Sequence, residues 1–444
     1  MKKLSALLIA FVVVCLFFCP HTIRGLDVST ASDLNFSDQL TLNAKSTYLV
    51  NLDTGRVIYE HNANERLSPA STTKIMTAAL ALSMVDNPKT TIVTLPDDLW
   101  VEFDGIDISH AGLLSNEQLT MEQLVHCMLL QSANEAASGV ASFFGREEFI
   151  DLMNQKAASL GCINTHFVNP HGLFDPDHYI SAKDLFLISE WALSVPGFSE
   201  IIEKVQYDIP ETNRNYDKTI VTSIYMQDPT SRYYTSYLKG IKTGTLEQSG
   251  RCLVSTAQKN NMRFCLVLLG CPLEPSNIVW EDGNSVFTET RIIYDWVFNN
   301  AVLSEVISKD TIVTQIAVNY SPKKDALVLY SGDSLSSILR KNSEVKPEIR
   351  YELDLPEDID APITKGQKIG SAKVFSDDIY IGDISLVSLE EVEFSWLLMA
   401  IAKVGIALKS KVAVIIYLSV ISIACLYFLY LFVIVRGAKK RHNR

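Results

Sequence analysis

Residues 68–77 read Ser68-Pro69-Ala70-Ser71-Thr72-Thr73-Lys74-Ile75-Met76-Thr77, and the rest of the chain can be placed around them. Serine is a favourable N-cap and proline suits the first helical position, so the pattern predicts a helix that begins at Ser68 and continues through Leu82. Ser71 and Lys74 are three residues apart and would share one face of that helix. The segment therefore predicts a hydroxyl beside an amine at the head of a helix.

This pairing has a chemical use. A serine hydroxyl is a weak nucleophile at neutral pH until a base accepts its proton, and lysine can be that base only when its pKa is lowered. The helix N-terminus adds a positive dipole end near the place where an oxyanion would form. The spacing alone is weak evidence, because it recurs from Ser236 to Lys239 and from Ser321 to Lys324.

Two further motifs follow in the chain, Ser132-Ala133-Asn134 and Lys242-Thr243-Gly244. An apolar helical pattern ends just before Ser132, which places Ser132 and Asn134 on a loop or helix start. Lys242 and Thr243 lie in an extended segment, where they would point to opposite sides, and Gly244 would let a substrate backbone approach closely. Each motif alone is common in turns and strand ends. Their order after Ser71 and Lys74 gains its weight from a family resemblance, which is given below.

Composition and cysteine usage limit the classes of function that this chain can have. The 444 residues are enough for two domains, and the formal charge of -12 argues against a nucleic-acid partner. Eight cysteines include three in apolar terminal runs; the other five show no metal-ligand spacing. We expect these five to be buried thiols without an obligatory disulfide framework, although one bridge stays open.

Both ends of the chain carry apolar segments. Residues 1–25 have the basic start and apolar run of a secretory signal, with an uncleaved anchor helix as the alternative. Residues 396–409 are predicted to form an interfacial helix, and residues 412–435 form an unbroken apolar run of 24 residues that is long enough to span a bilayer. The basic tail at 436–444 predicts a cytoplasmic C-terminus and places the preceding domains outside the cell membrane.

Between these ends the pattern divides in two. Residues 40–303 contain the three motifs, a predicted β-hairpin around Asp53-Thr54-Gly55 and a predicted closing helix from Phe287 to Phe298. Residues 306–392 show short alternating runs separated by turn residues, which predicts a small all-β domain without catalytic residues. The predicted strands are Ile312 to Val318, Ala326 to Tyr330, Ile349 to Leu355, Gln367 to Val374 and Ile379 to Val387.

The three motifs, together with Asn169-Pro-His-Gly172 and the segment from Ala361 to Gly370, resemble the low-molecular-mass penicillin-binding proteins that are D-alanyl-D-alanine carboxypeptidases. The resemblance covers roughly residues 40 to 390. It implies an α/β (α+β) domain of the β-lactamase and transpeptidase type, in which helices flank a five-stranded antiparallel sheet. It also implies a peptidoglycan stem peptide as substrate and β-lactams as covalent inhibitors, with no metal and no cofactor.

The resemblance also implies residue roles. The catalytic residues would be Ser71 as the acylated nucleophile, Lys74 as its base and Ser132 as a proton relay. The substrate-binding residues would be Asn134 for the substrate amide, Lys242 and Thr243 for the terminal carboxylate, Gly244 for close approach and the Thr245 amide for the oxyanion hole. One departure stands out: these enzymes often carry an arginine ahead of the closing helix, whereas Val286 occupies about that position here.

Alternatives stay open at this stage. His171 would be a structural loop residue, because no acid or nucleophile is evident for it in the sequence. A β-lactamase of the same fold would need a water-activating glutamate, for which Glu200, Glu203 and Glu211 are available. A membrane-bound β-lactam receptor would need a signalling domain beyond the membrane helix, and the tail is too short for one.

Overall fold

The computed structural model describes residues 40–274, 284–341, 348–376, 379–409 and 411–442. The predicted secretory signal at 1–25 lies outside the described residues. A five-stranded antiparallel sheet with the order β2-β1-β9-β8-β7 organises the first domain. Its strands are β1 (Ser46–Asn51), β2 (Val57–His61), β7 (Leu238–Leu246), β8 (Gly250–Lys259) and β9 (Met262–Cys271). The predicted five-stranded antiparallel sheet is confirmed.

Seven helices and two small two-stranded sheets accompany this sheet in the described part of the domain. The helices are α1 (Lys74–Met84), α2 (Met121–Leu129), α3 (Asn134–Phe144), α4 (Arg146–Ser159), α5 (Ala182–Ser194), α6 (Phe198–Ile202) and α7 (Ser285–Asn300). The two-stranded sheets pair β3 (Ile92–Thr94) with β4 (Gln118–Thr120), and β5 (Gln206–Ile209) with β6 (Lys218–Val221).

The hairpin of β1 and β2 forms where the sequence predicted it. Asn51 Oδ1 accepts hydrogen bonds from the backbone N–H groups of Asp53 and Thr54, at 3.2 and 3.0 Å, which closes the turn between β1 and β2. Gly55 completes the turn in the left-handed region. The turn chemistry therefore fixes the register of the two strands, as it does in other hairpins.

Alternate residues of the central strands pack into two separate hydrophobic cores. Tyr48 and Val50 of β1 pack with α1 and its neighbouring helices, whereas Leu49 faces a second core that contains Phe287 and Tyr294 of α7. Because successive side chains of a strand point to opposite faces, both faces of the sheet are covered by helices. Helix α1 is buried along most of its length, so it forms the centre of the first core.

The second domain is all-β, as predicted. Its six-stranded sheet has the order β14-β16-β17-β12-β11-β15, and β10 pairs with β13 beside it. The five predicted segments correspond to β11, β12, β14, β16 and β17, while β10, β13 and β15 were not predicted. The strands are β10 (Ala301–Ile307), β11 (Ile312–Asn319), β12 (Ala326–Ser331), β13 (Leu335–Arg340), β14 (Ile349–Asp354), β15 (Asp358–Asp360), β16 (Lys368–Ser376) and β17 (Ile379–Val387).

Two helices end the described chain, α8 (Trp396–Lys409) and α9 (Lys411–His442). Within α9, the 23 residues Val414–Arg436 are long and apolar enough to cross a membrane. The large apolar side chains along this stretch are exposed to their surroundings. This exposure differs from that of a core helix such as α1.

The five cysteines of the first domain are free thiols, and all of them are buried. They are Cys127, Cys162, Cys252, Cys265 and Cys271. Burial raises the pKa of Cys162 to about 12 and that of Cys252 to about 11. The expectation of buried thiols is confirmed, and these groups stay protonated and unreactive at neutral pH.

Candidate active site

The segment around Ser71 forms a tight turn before the helix. A 3-10 turn covers Ala70–Thr73, and α1 begins only at Lys74. The predicted helix start at Ser68 is therefore wrong: Pro69 is the N-cap of the turn, and no side-chain hydrogen bond caps it. The physical reason is the left-handed backbone at Ala70, with φ of 48°, which separates Ser68 from the helical path.

A loop after α4 braces this turn. Gly172 lies so close to it that an added Cβ would stand 1.9 Å from the Ala70 carbonyl oxygen, so this position excludes side chains. Thr73 Oγ1 donates to the same carbonyl at 2.9 Å, and Thr77 Oγ1 donates to the Pro170 carbonyl at 2.6 Å. Backbone packing and hydroxyl hydrogen bonds together fix the position of Ser71.

Lys74 is fully buried beneath Ser71. Its Nζ lies 3.0 Å from Ser71 Oγ, 2.9 Å from Asn134 Oδ1 and 2.7 Å from the His171 carbonyl oxygen. An ammonium group has three protons to donate, and these three acceptors match them. A neutral amine in the same place would donate two protons, to Asn134 and His171, and accept the proton of Ser71.

The environment of Lys74 favours the neutral amine. Burial lowers its pKa well below the usual value for lysine, and the nearby Lys242 lowers it further, while Glu135 acts in the opposite direction. Desolvation disfavours the charged form because the interior solvates an ammonium poorly. The structure thus provides the lowered pKa that a lysine base needs.

Asn134 lies next to the Lys74 amine. It is the first residue of α3, and its side chain lies between the Lys74 amine and the Ser109 carbonyl, to which Nδ2 donates at 2.9 Å. Both ends of the amide are therefore engaged inside the protein. Asn134 orients Lys74, and its predicted contact with the substrate amide stays a prediction.

Ser132 lies in the short connection between α2 and α3. Its backbone is left-handed, with φ of 64°, and its side chain is almost completely buried. It lines the same cavity as Ser71. Among the described residues, no hydrogen bond is formed by the Ser132 hydroxyl, and its role as a proton relay stays a prediction.

Strand β7 brings the third motif to the site. An added Cβ on Gly244 would lie 3.1 Å from the Ser71 backbone nitrogen and 3.1 Å from the Pro69 carbonyl oxygen, so glycine permits the strand to approach the turn. Thr243 Oγ1 lies 2.8 Å from Ser223 Oγ. Lys242 is completely buried, and its Nζ donates to the Thr243 carbonyl at 2.9 Å.

Burial also lowers the pKa of Lys242, to about 7. Like Lys74, this amine has no carboxylate among its hydrogen-bond partners in the described part of the chain. The site therefore contains two buried amines whose charge is disfavoured by the same desolvation.

Because the Lys242 amine is buried, we expect the free energy of unfolding to depend on pH. Between the folded pKa of about 7 and the unfolded value of 10.5, the unfolded chain binds more protons, so stability rises with pH. Lys242→Met should remove a gain of roughly 2–3 kcal/mol that the wild-type protein makes between pH 6 and pH 9. Urea unfolding at both pH values measures this difference.

The matched control is Lys239→Met, because Lys239 lies on the same strand but its side chain is exposed and paired with Glu203. Its stability should follow that of the wild type at both pH values. Parallel pH profiles for the wild type and Lys242→Met would contradict the prediction.

His171 contributes through its backbone. Its carbonyl oxygen binds Lys74, while its ring lies away from the amine, accepting from the Leu173 N–H at 3.2 Å and contacting Glu102 Oε2 at 3.3 Å. Burial lowers the pKa of His171 to about 4, so the neutral ring donates from Nε2 to Glu102 at neutral pH. The sequence did not reveal this carboxylate partner.

Glu102 belongs to a small polar cluster behind the site. Burial opposes its ionisation, but hydrogen bonds from His171, Arg146 and Ser138 together lower the pKa of Glu102 to about 2. Arg146 donates to Glu102 at 3.0 Å. This cluster fixes the His171 ring and, through it, the carbonyl that holds Lys74.

One cavity of about 220 Å³ unites the predicted residues. Ser71, Ser132, Thr243, Gly244 and Thr245 line it, and Lys74, Asn134 and Lys242 are buried around it. The sequence did not assign the remaining lining residues to the site, among them Ser223, Tyr225, Arg251 and Phe287.

Comparison with known proteins agrees with this geometry. Residues 33–272 match the family model of the S11 peptidases, described as D-alanyl-D-alanine carboxypeptidase, and residues 303–394 match the C-terminal domain of penicillin-binding protein 5. The chain is 28% identical over 398 residues to D-alanyl-D-alanine carboxypeptidase DacF of Bacillus subtilis, covering 88% of this chain and 95% of that protein. It is 27% identical to DacC of Escherichia coli, covering 80% and 85% respectively.

Solved structures give the same result. Penicillin-binding protein 5 of Haemophilus influenzae superposes with a TM-score of 0.62 at 25% identity, covering 80% of this chain and 98% of that one. The fold is also that of PBP3 of Streptococcus pneumoniae, with a TM-score of 0.64 at 22% identity, covering 80% of this chain and 100% of that one. The chain therefore belongs to the D-alanyl-D-alanine carboxypeptidase family of serine peptidases, within the low-molecular-mass penicillin-binding proteins.

Proposed function

We propose that this serine carboxypeptidase removes the terminal D-alanine of peptidoglycan stem peptides through an acyl-enzyme on Ser71. The observation that carries the proposal is the 3.0 Å contact between Ser71 Oγ and the buried Nζ of Lys74. A nucleophile needs a base within hydrogen-bond reach, and the lowered pKa of Lys74 supplies one.

In the first step, the neutral Lys74 amine accepts the Ser71 proton while Oγ attacks the carbonyl carbon of the penultimate D-alanine. Asn134 Oδ1 and the His171 carbonyl stabilise the ammonium that forms, because both already accept its other protons. The Ser71 and Thr245 amides would bind the oxyanion, with Gly244 allowing the strand to approach.

In the second step, the amide bond breaks and the leaving D-alanine amine takes a proton. Ser132 lines the cavity with a free hydroxyl and would pass the proton from Lys74 to that amine. Water then attacks the ester, and the neutral Lys74 accepts its proton. Ser71 is regenerated when the ester bond breaks and its Oγ takes that proton from Lys74.

Two features favour a carboxypeptidase that hydrolyses D-alanine peptides over a β-lactamase. The family match and the DacF relative are both carboxypeptidases by description. None of Glu200, Glu203 and Glu211 is among the described residues that line the cavity, although a β-lactamase of this fold would place a glutamate there.

The test is intact-mass analysis of the wild-type protein with penicillin, followed by assay with a pentapeptide that ends in D-Ala-D-Ala. We expect a stable penicilloyl adduct, together with release of D-alanine and none from the matched peptide ending in L-Ala. Rapid loss of the adduct with turnover of penicillin, and no release of D-alanine, would instead identify a β-lactamase.

We also propose that α9 anchors the protein, with the catalytic domain on the outer face of the cell membrane. The 23-residue apolar stretch, its exposed side chains and the basic residues after it support this orientation. Peptidoglycan lies on that face. The all-β domain would then hold the cavity at a distance from the bilayer.

The boundary of the anchor can be tested by truncation. Phe394 packs against the all-β core and stacks edge-on with Tyr320. A stop after Ser395 should therefore keep this contact and release a soluble protein that still reacts with penicillin, because none of the described residues that line the cavity belongs to the removed helices. Fractionation followed by labelling with fluorescent penicillin measures both properties.

The matched control is the full-length chain, which should remain with the membrane after alkaline carbonate extraction. A truncated protein that is folded and soluble but does not react with penicillin would show that α8 or α9 supports the site directly.

A further inference from the structure

One arginine of the cavity has a buried side-chain nitrogen that no described residue satisfies. Arg251 lines the same cavity as Ser71, and its Nε is buried without a hydrogen bond among the described residues. A buried donor left unsatisfied costs free energy, so such groups are rare in folded proteins. The observation needs an explanation, and a ligand that accepts a hydrogen bond from the guanidinium would provide one.

Sheet register places this arginine beside the third motif. Arg251 of β8 is directly opposite Thr245 of β7, so both side chains lie on the same face of the sheet. Thr243, two residues before Thr245, shares that face. The guanidinium and two threonine hydroxyls therefore form one polar wall of the cavity.

Arg251 is also the only charged side chain among the described residues that line this cavity. The two buried lysines nearby are poor sources of constant charge, since burial lowers the pKa of both. Arginine stays protonated at every accessible pH and binds a carboxylate through two parallel hydrogen bonds.

Val286 strengthens this argument. It is the residue that stands about where an arginine was expected from the resemblance, and it lines the same cavity with an apolar side chain. The cation in this chain therefore comes from a strand of the sheet, whereas the expected one would precede the closing helix.

We propose that Arg251 binds the terminal carboxylate of the substrate and selects leaving groups that carry one. This inference rests on the proposed acyl-enzyme at Ser71 and assigns the source of its carboxylate specificity. Thr243 would complete the subsite from the same face.

Two D-alanyl thioesters with the same acyl group provide the test on the full-length protein in detergent. One has thioglycolic acid as leaving group, with a carboxylate, and the other has the neutral thioglycolamide. Both give the same acyl-Ser71, so the ratio of their acylation rates reports leaving-group recognition alone. Arg251→Gln should lower the preference for the carboxylate about 10- to 100-fold, as expected for a charge-assisted pair.

Arg251→Lys should recover part of that preference, because it restores the charge without the two-pronged geometry. The matched control is Arg263→Gln on β9, an exposed arginine paired with Asp53, which should behave as the wild type. Thermal unfolding of each variant checks that the fold is retained.

An unchanged ratio in Arg251→Gln would overturn the proposal, and so would equal slowing of both thioesters, since a structural role predicts the latter. Absence of acylation of the wild-type protein by either thioester would refute the mechanism on Ser71 instead. The two failures are therefore distinguishable.

Discussion

Ser71→Ala should abolish the covalent adduct with penicillin and reduce carboxypeptidase turnover on the order of 10⁵-fold or more, because no other hydroxyl replaces the nucleophile. The Lys74 amine would lose one of its three acceptors but keep Asn134 and the His171 carbonyl, so the site should retain its shape. Intact-mass analysis after incubation with penicillin measures the adduct directly.

The chain provides its own control for this substitution. Ser236 is followed by Lys239 with the same spacing, but both residues are exposed on the surface. Ser236→Ala should therefore react with penicillin at the wild-type rate. An adduct that persists in Ser71→Ala would show that another residue is the nucleophile.

Lys74→Ala should slow acylation by about 10³- to 10⁴-fold, which is the range expected when a general base is removed. The serine would then have to lose its proton to water at neutral pH. Because Lys74 and Ser71 act as one unit, the double variant Ser71→Ala and Lys74→Ala should be hardly worse than Ser71→Ala alone. Stopped-flow acylation with a chromogenic cephalosporin measures the single-variant rate.

The control here is Lys239→Ala, which removes an exposed amine from the same region and should leave the rate unchanged. Acylation of Lys74→Ala at a rate near that of the wild type would move the role of base to another residue. Ser132 would then be the next group to replace.

The sequence predicted the fold well where local chemistry decides it. The hairpin turn at Asn51 to Gly55 and the alternating strands of the second domain are set by nearby residues, and both were confirmed. The helix start at Ser68 was wrong because packing of the Gly172 loop against Ala70 determines the backbone there. That contact joins residues distant in the chain, and no local propensity encodes it.

The candidate site also shows the difference between features that local sequence encodes and features that depend on contacts between distant residues. Three motifs in order brought Ser71, Ser132 and Gly244 to one cavity, but the structure alone shows that Asn134 holds the lysine. The contact between the His171 carbonyl and Lys74 could not be predicted, since every residue has a carbonyl and no side chain indicates which one is used. Arg251 was missed because it belongs to an alternating strand, where only the register with β7 shows which face it occupies.

The buried thiols allow local opening of this domain to be measured on the native protein, without introducing new cysteines. Alkylation requires a thiolate in contact with reagent, so a fully buried cysteine reacts only during the rare moments when its surroundings open. Cys252 and Cys265 lie on adjacent strands of the central sheet, and Cys127 lies on α2 below the site. Their separate alkylation rates under native conditions would rank the local opening free energies of sheet and helix layer. A long-lived acyl-enzyme should slow the reaction at Cys252 most, since that residue borders the cavity.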